Sequence, residues 1–157
     1  MKSWAESEVD DVNMFGRSAY NRFYYASYLQ VRNTLSELDE KWKKTSHGNI
    51  PELLTNKVKS KVKTALDRQL KSGLITKSSH SRMLTDFTAS TTGLSSLLAE
   101  AYDVRCVADY EPEVSCLKHQ SSGLTLNDYK LNTAEKWPDR ASGYCKTIRK
   151  VWNHAGI

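Results

Sequence analysis

Over residues 12–42 the apolar side chains recur at steps of three and four, the spacing that gathers them on one side of an α-helix. They form two neighbouring stripes. Val12, Phe15, Ala19, Phe23 and Ala26 make one, and Tyr20, Tyr24, Val31, Leu35, Leu38 and Trp42 make the other. A long helix with two apolar stripes needs cover on two sides. One cover is the chain's own bundle, and the other is either a further helix or a second subunit. Arg17, Asn21, Tyr25 and Arg32 fall along one line of the remaining face, where side chains are ordinarily solvated.

Residues 43–48 read as a polar connection, with Asn49 placed to cap a helix that has Pro51 in its first turn. Residues 56–71 set Lys57, Lys59, Lys61, Lys63, Arg68 and Lys71 against a thin stripe of Val58, Val62, Ala65 and Leu66. The Lys-Val alternation suits a strand, but Ala65 and Leu66 continue the helical spacing and Ser72-Gly73 supplies a stop, so helix is preferred. A third seam runs through Leu84, Phe87, Thr91, Leu94, Leu98 and Ala101, with Gly93 inside it, and its next position is Arg105. Glu111-Pro112 ends that helix. Residues 112–124 read as a loop. Thr125 is placed to cap a final helix with the seam Ala134, Trp137, Ala141, Tyr144, Ile148 and Val151, and Pro138 inside it marks a kink or a restart. The pattern predicts an all-α fold, an antiparallel up-and-down bundle of four to five helices, in a single domain over residues 1–157.

Composition agrees with one globular domain: 157 residues, 39% hydrophobic and 26% charged, with three prolines and seven glycines. Cys106, Cys116 and Cys145 are odd in number, widely spaced and without a CxxC pair, which fits a reducing compartment. No apolar run reaches the roughly 20 residues needed to cross a bilayer, and the first residues do not form a secretory signal. A cytoplasmic location without membrane contact is expected. The net charge of +5 favours polyanions only modestly, so the placement of the charge matters more than its sum.

Arg105 is the most informative misfit. A guanidinium on a bundle seam needs a partner, because removing an ion from water costs several kcal/mol. Asp109, one turn on, can accept from it, and Tyr110 follows. Two readings stay open: a structural Arg105-Asp109 pair, or a site where a fixed planar fork holds phosphate oxygens. On the basic helix, Lys57, Lys61 and Arg68 can line one face and contact successive phosphates, or can simply be solvated. The tyrosines of the first helix, with Arg17 and Arg32 beside them, can stack bases if they are exposed. His47 beside Gly48 is a candidate functional group or a loop histidine. His154 follows Arg149 near the end of the last helix, and His80 and His119 read as exposed polar residues. None of the four has a metal-ligand neighbour, and no metal or cofactor is expected.

Three segments together carry a resemblance: Ser18-Ala19-Tyr20-Asn21-Arg22-Phe23-Tyr24-Tyr25-Ala26-Ser27-Tyr28, then His47-Gly48, then Arg105-Cys106-Val107-Ala108-Asp109-Tyr110. The chain resembles the HEPN superfamily, the "higher eukaryotes and prokaryotes nucleotide-binding" helical domains, over most of residues 12–153. The resemblance implies a helical bundle, often a homodimer whose protomers face each other across a cleft, that binds RNA or a nucleotide. Many relatives are metal-independent endoribonucleases of toxin-antitoxin, CRISPR or antiphage defence systems, and such a protein has an antitoxin or other protein as partner. Their catalytic motif is an arginine followed after four to six residues by a histidine, which moves the proton of the ribose 2′-hydroxyl while the arginine stabilises the phosphorane. Here Arg105 matches the arginine, but Asp109 and Tyr110 stand where the histidine belongs. The resemblance therefore makes Arg105, Asp109, Tyr110 and His47 the candidate catalytic residues. Arg17, Arg22, Tyr25, Arg32, Lys57, Lys61 and Arg68 are the candidate nucleic-acid-binding residues. The alternative is a catalytically inactive helical dimerisation or adaptor module.

Overall fold

The computed structural model describes residues 3–121 and 123–157 and is mostly helical. Helix α1 (Trp4–Leu38) starts eight residues earlier than its apolar stripes suggest. The Ser3 hydroxyl accepts from the Glu6 amide while the Glu6 carboxylate accepts from the Ser3 amide, a reciprocal cap that nucleates a polar first turn. The helix stops at Asp39, whose extended backbone cannot continue it, and a 3-10 turn (Glu40–Lys44) follows. Trp42 is carried on that turn rather than on α1, and it meets Trp152 edge to face at 5.8 Å.

Next come a second 3-10 turn (His47–Asn49), helix α2 (Ile50–Leu53), a π turn (Leu54–Val58) and helix α3 (Lys59–Lys71). The Lys-Val alternation is therefore helical, as its continuation through Ala65 and Leu66 predicts. Gly73, at φ +75, turns the chain into α4 (Lys77–Tyr110), which Thr76 caps by accepting from the Ser79 amide. Residues 112–124, expected as a loop, contain most of a small antiparallel sheet in the order β1 (Cys116–His119), β2 (Gly123–Leu126), β3 (Tyr129–Lys130). Thr125 is a β2 residue paired with Leu117 and Lys130, not a helix cap. Helix α5 (Leu131–Glu135) leads into α6 (Trp137–Ala155), with Pro138 in the first turn of α6, so the proline marks a restart.

Helices α1, α4 and α6 pack on one another, and α3 covers α4 and α6. Contacts fix their directions. Gln30 reaches the Pro138 carbonyl and Glu37 pairs with Arg149, so α1 and α6 run parallel. Arg17 meets Ala108 and Tyr25 meets Arg105, so α4 runs against α1. Asp67 pairs with His80 and Pro51 with Ser95, so α4 also runs against α2 and α3. The expected up-and-down alternation thus holds for α3, α4 and α6 but breaks between α1 and α3. Residues 39–49 double back along α1 before α2 sets out, and this return lays His47 on the α1 tyrosines.

Of the two α1 stripes only one is core: Tyr20, Tyr24, Val31 and Leu35 are buried and Leu38 is half-buried, and Tyr28, outside the expected stripe, is buried with them. Phe15 is 66% exposed and Ala26 is exposed, while Val12, Ala19 and Phe23 sit at the rim. The α4 seam continues through Ala101, Val104 and Ala108, so Val104 takes the core position and Arg105 lies beside it at the edge. Gly16 lets the sheet approach α1, since a Cβ there would lie 2.7 Å from Cys116 Sγ. Among the described residues no helix is long and apolar enough to cross a membrane.

Candidate functional site

The site is built where α1, the doubled-back segment and the end of α4 converge. Tyr24, Tyr25 and Tyr28 share consecutive turns of α1, and Tyr102 and Arg105 share one turn of α4. His47 arrives from the 3-10 turn and stacks on Tyr28, with ring centroids 3.7 Å apart and planes at 12°. Its Nδ1 is hydrogen-bonded to the Tyr24 hydroxyl. Tyr25, edge-on to Tyr24, offers its hydroxyl to Arg105 Nη2 at 3.3 Å.

Arg105 lies within 6 Å of three rings: its Cζ is 5.7 Å from the Tyr24 centroid, 5.5 Å from Tyr25 and 5.8 Å from Tyr110. Asp109 Oδ2 is 2.9 Å from Arg105 Nε, close enough for an ion pair but off the line of a hydrogen bond, so the buried Nε has no hydrogen-bond partner. Among the described residues Nη1 has none either. The Arg105 side chain as a whole is 15% exposed and its Nε is buried, so the group is largely covered and yet only partly matched, with donors to spare. The expected Arg105-Asp109 pair is therefore formed, but it leaves donors over. Tyr110 is 70% exposed and stands over the cation at the mouth of the site.

The electrostatics keep both hydrogen-bonded partners neutral. Burial, then Arg105 and Arg32, hold His47 below the usual imidazole range. Burial pushes the Tyr24 phenol up, against the opposing pull of Arg105. When the phenol donates to Nδ1, the ring proton sits on Nε2 and is a donor for a phosphate oxygen; when Nδ1 donates, Nε2 is a free base. Because folded His47 binds protons less readily than the unfolded chain, this residue's contribution to stability is complete above pH 6.5 and is lost as pH falls below it. An NMR titration of the His47 ring should therefore show a midpoint below 6.5. A midpoint at or above it would remove the neutral imidazole from the site.

The candidate residues thus divide. Arg105, Asp109, Tyr110, His47 and Tyr25 come together. Arg17 is not free for nucleic acid: its guanidinium donates to the carbonyls of Val107, Ala108, Glu111, Pro112 and Val114, and its Nε to Asn13. It caps the end of α4, where orphan carbonyls and the negative pole of the helix dipole draw a cation. Arg32 donates from Nε to the Lys43 carbonyl and so ties the doubled-back segment to α1. The line Arg17-Asn21-Tyr25-Arg32, expected to be solvated, is in part a seam between elements, and Asn21 Oδ1 is buried there without a partner. Arg22 is exposed. Lys61 pairs with Asp39 at 3.3 Å and lies 5.1 Å from the Trp42 ring, whereas Lys57 and Arg68 are exposed on the α2–α3 side. His154 sits at the far end of α6, away from Arg105. Tyr24, Tyr28 and Tyr102 belong to the site, although the spacing predicts Tyr24 only as part of an apolar stripe and singles out neither Tyr28 nor Tyr102. The signal was the i, i+4 pair Tyr24-Tyr28 and the i, i+3 pair Tyr102-Arg105, which is also the signature of a core.

No protein-family model, curated protein or solved structure matches the chain.

Proposed function

We propose that this is a HEPN-like protein that binds RNA or a nucleotide, with a phosphate held at Arg105. The observation that carries the reading is the covered guanidinium with unused donors beside a neutral imidazole, both resting on Tyr24. An always-charged planar fork among tyrosine rings suits a phosphate flanked by a base, the phosphate on the fork and the base on an exposed ring such as Tyr110. Asp109, 2.9 Å from Arg105 Nε, orients the fork.

His47 favours a second reading, cleavage. It supplies from the doubled-back segment the imidazole that α4 lacks, so proton transfer at a ribose 2′-hydroxyl and charge stabilisation by Arg105 have their two groups. The exposed α1 face with Met14, Phe15 and Leu29, adjoining Tyr25 and Tyr110, suits a second copy of the chain, as in a homodimer. The same face suits the inactive adaptor alternative.

Fluorescence anisotropy with a labelled single-stranded RNA tests the reading. Arg105→Ala should weaken binding at least tenfold, about 1.4 kcal/mol, and Arg105→Lys should recover only part of it. Equal binding by wild type and Arg105→Ala, or no binding by either, overturns it. RNA cut in the presence of EDTA by wild type but not by His47→Ala would establish cleavage. If Arg105→Ala lowers only the melting temperature, Arg105 is a clamp.

A further inference from the structure

The first turns of α1 are little covered by the rest of the fold. Residues 3–11 are all exposed, and the first buried residue of the helix is Gly16. Trp4, Glu8 and Asp11, at i, i+4 and i+7, share one face of these turns, and Trp4 is 95% exposed. Residues 4–15 hold four carboxylates, Glu6, Glu8, Asp10 and Asp11, and no lysine or arginine. The basic charge is gathered elsewhere. Residues 41–71 hold nine lysines and arginines against Glu52 and Asp67, a net +7, although the whole chain carries only +5.

Within that basic segment a half-open cleft of about 690 Å³ lies between the 3-10 turn of residues 40–44 and the helical run of α2 and the π turn. Trp42 and Leu53, each 9% exposed, make its apolar floor, and Lys41 and Lys57 stand at its rim with Glu52 as the one carboxylate of the lining. Lys61 is already taken, 3.3 Å from Asp39 and 5.1 Å from the Trp42 ring. Lys41 and Lys57 are exposed, and among the described residues they form no ion pair. The cleft thus offers what the first turns of α1 lack, an apolar floor for an indole and cations for two carboxylates. One chain cannot join its own two halves of this contact. The doubled-back segment meets α1 at Tyr24, through His47, and Trp4 lies 20 residues before that point, about 30 Å along the axis at roughly 1.5 Å per residue.

We propose that the first turns of α1 dock in this cleft on a second copy of the chain. Trp4 lies on Trp42 and Leu53, and Glu8 and Asp11 pair with Lys41 and Lys57. Made in both directions, the contact closes a dimer. It uses neither Arg105 nor the α1 face of Leu29, so it stands or falls separately from the RNA reading.

Sedimentation equilibrium of the full chain tests it. Wild type should associate, and raising salt from about 0.1 M to about 1 M should weaken the association roughly tenfold, because exposed ion pairs are then screened. Trp4→Ser, at an open position, should weaken it by roughly tenfold or more with the helix content unchanged. Glu8→Lys with Asp11→Lys, and Lys41→Glu with Lys57→Glu, should each abolish self-association. Mixed, these two double variants should associate with each other, since every charge between them is again matched. Arg105→Ala should leave the association unchanged. A chain that stays monomeric up to about 100 μM overturns the proposal, as does an association that survives both double variants and is lost in Leu29→Glu. So does a Lys41→Glu, Lys57→Glu chain that associates like wild type but binds RNA less tightly, which would assign the two lysines to RNA.

Discussion

Replacing Arg17 by alanine should destabilise the fold by about 3 kcal/mol, although the residue lies on a line of α1 that reads as solvent-facing. Its guanidinium reaches five carbonyls between Val107 and Val114, including that of Ala108 at 2.7 Å. A hydrogen bond from a charged group contributes roughly 1.5–3 kcal/mol, but these share one cation and the freed carbonyls can turn to water, so the sum is far from additive. Added to this is the favourable placement of a cation at a helix C-terminus, about 0.3–1 kcal/mol. A chain of this size loses roughly 2–4 °C of melting temperature per kcal/mol, so a drop of about 6–12 °C is expected. Arg17→Lys should recover less than half, because a single ammonium cannot span carbonyls on both sides of Pro112. Urea unfolding measures the difference, and hydrogen exchange should show the amides of residues 106–111 opening first. A stability within about 0.5 kcal/mol of wild type would mean that α4 is terminated by Glu111-Pro112 alone.

This same residue shows where sequence reading succeeds and stops. The helical seams of α3, α4 and α6 were legible because burial there follows a local period: Val58, Val62 and Leu66, or Ala141, Ile148 and Val151, are core as their spacing says. Arg17 was not, because its partners lie some 90 residues away and a guanidinium looks the same whether it faces water or carbonyls. The sheet was missed for a different reason. Its strands are two to four residues long, and Thr125, which caps helices as readily as it fills strands, was read by its local preference while pairing with Leu117 and Lys130 decided its place. Asn127, at φ +54, makes the turn between β2 and β3.

The site was half legible. Arg105 stood out as a break in the seam, and the break is real in kind but displaced, since Val104 fills the core and the guanidinium is set at its edge. What sequence could not supply is the meeting of Arg105 and His47, 58 positions apart in the numbering, on the same Tyr24 ring. That meeting follows from the return of residues 39–49 along α1, which is fixed by Trp42 against the distant Trp152 and by Arg32 on the Lys43 carbonyl. Of the tyrosines around His47, Tyr24 is legible as part of an apolar stripe, but such a stripe reads as core or interface, and only its meeting with an imidazole and a guanidinium makes it part of a site.

Gly16→Val should also unseat the sheet, at a cost of about 2–3 kcal/mol. A Cβ at Gly16 would lie 2.7 Å from Cys116 Sγ and 3.0 Å from its Cβ, and Cys116 cannot easily yield. It is buried, its amide donates to Asn13 Oδ1 at 2.8 Å, and its strand is paired with β2. Alanine is the poorer probe here. Exchanging glycine for alanine inside a helix gains about 1 kcal/mol of propensity, which would offset much of the clash, whereas valine adds two methyl groups and gains less. Cys116→Gly removes both opposing atoms, so the double variant should be more stable than the sum of the single losses predicts, with a coupling of at least about 1 kcal/mol. Because β1 follows directly on the α4 terminus that Arg17 caps, Gly16→Val should also loosen the Arg17 carbonyl partners, and the two variants together should fall short of additivity. If denaturant unfolding instead gives a strictly additive Gly16→Val and Cys116→Gly pair, the close approach of α1 and β1 is not what requires glycine at this position.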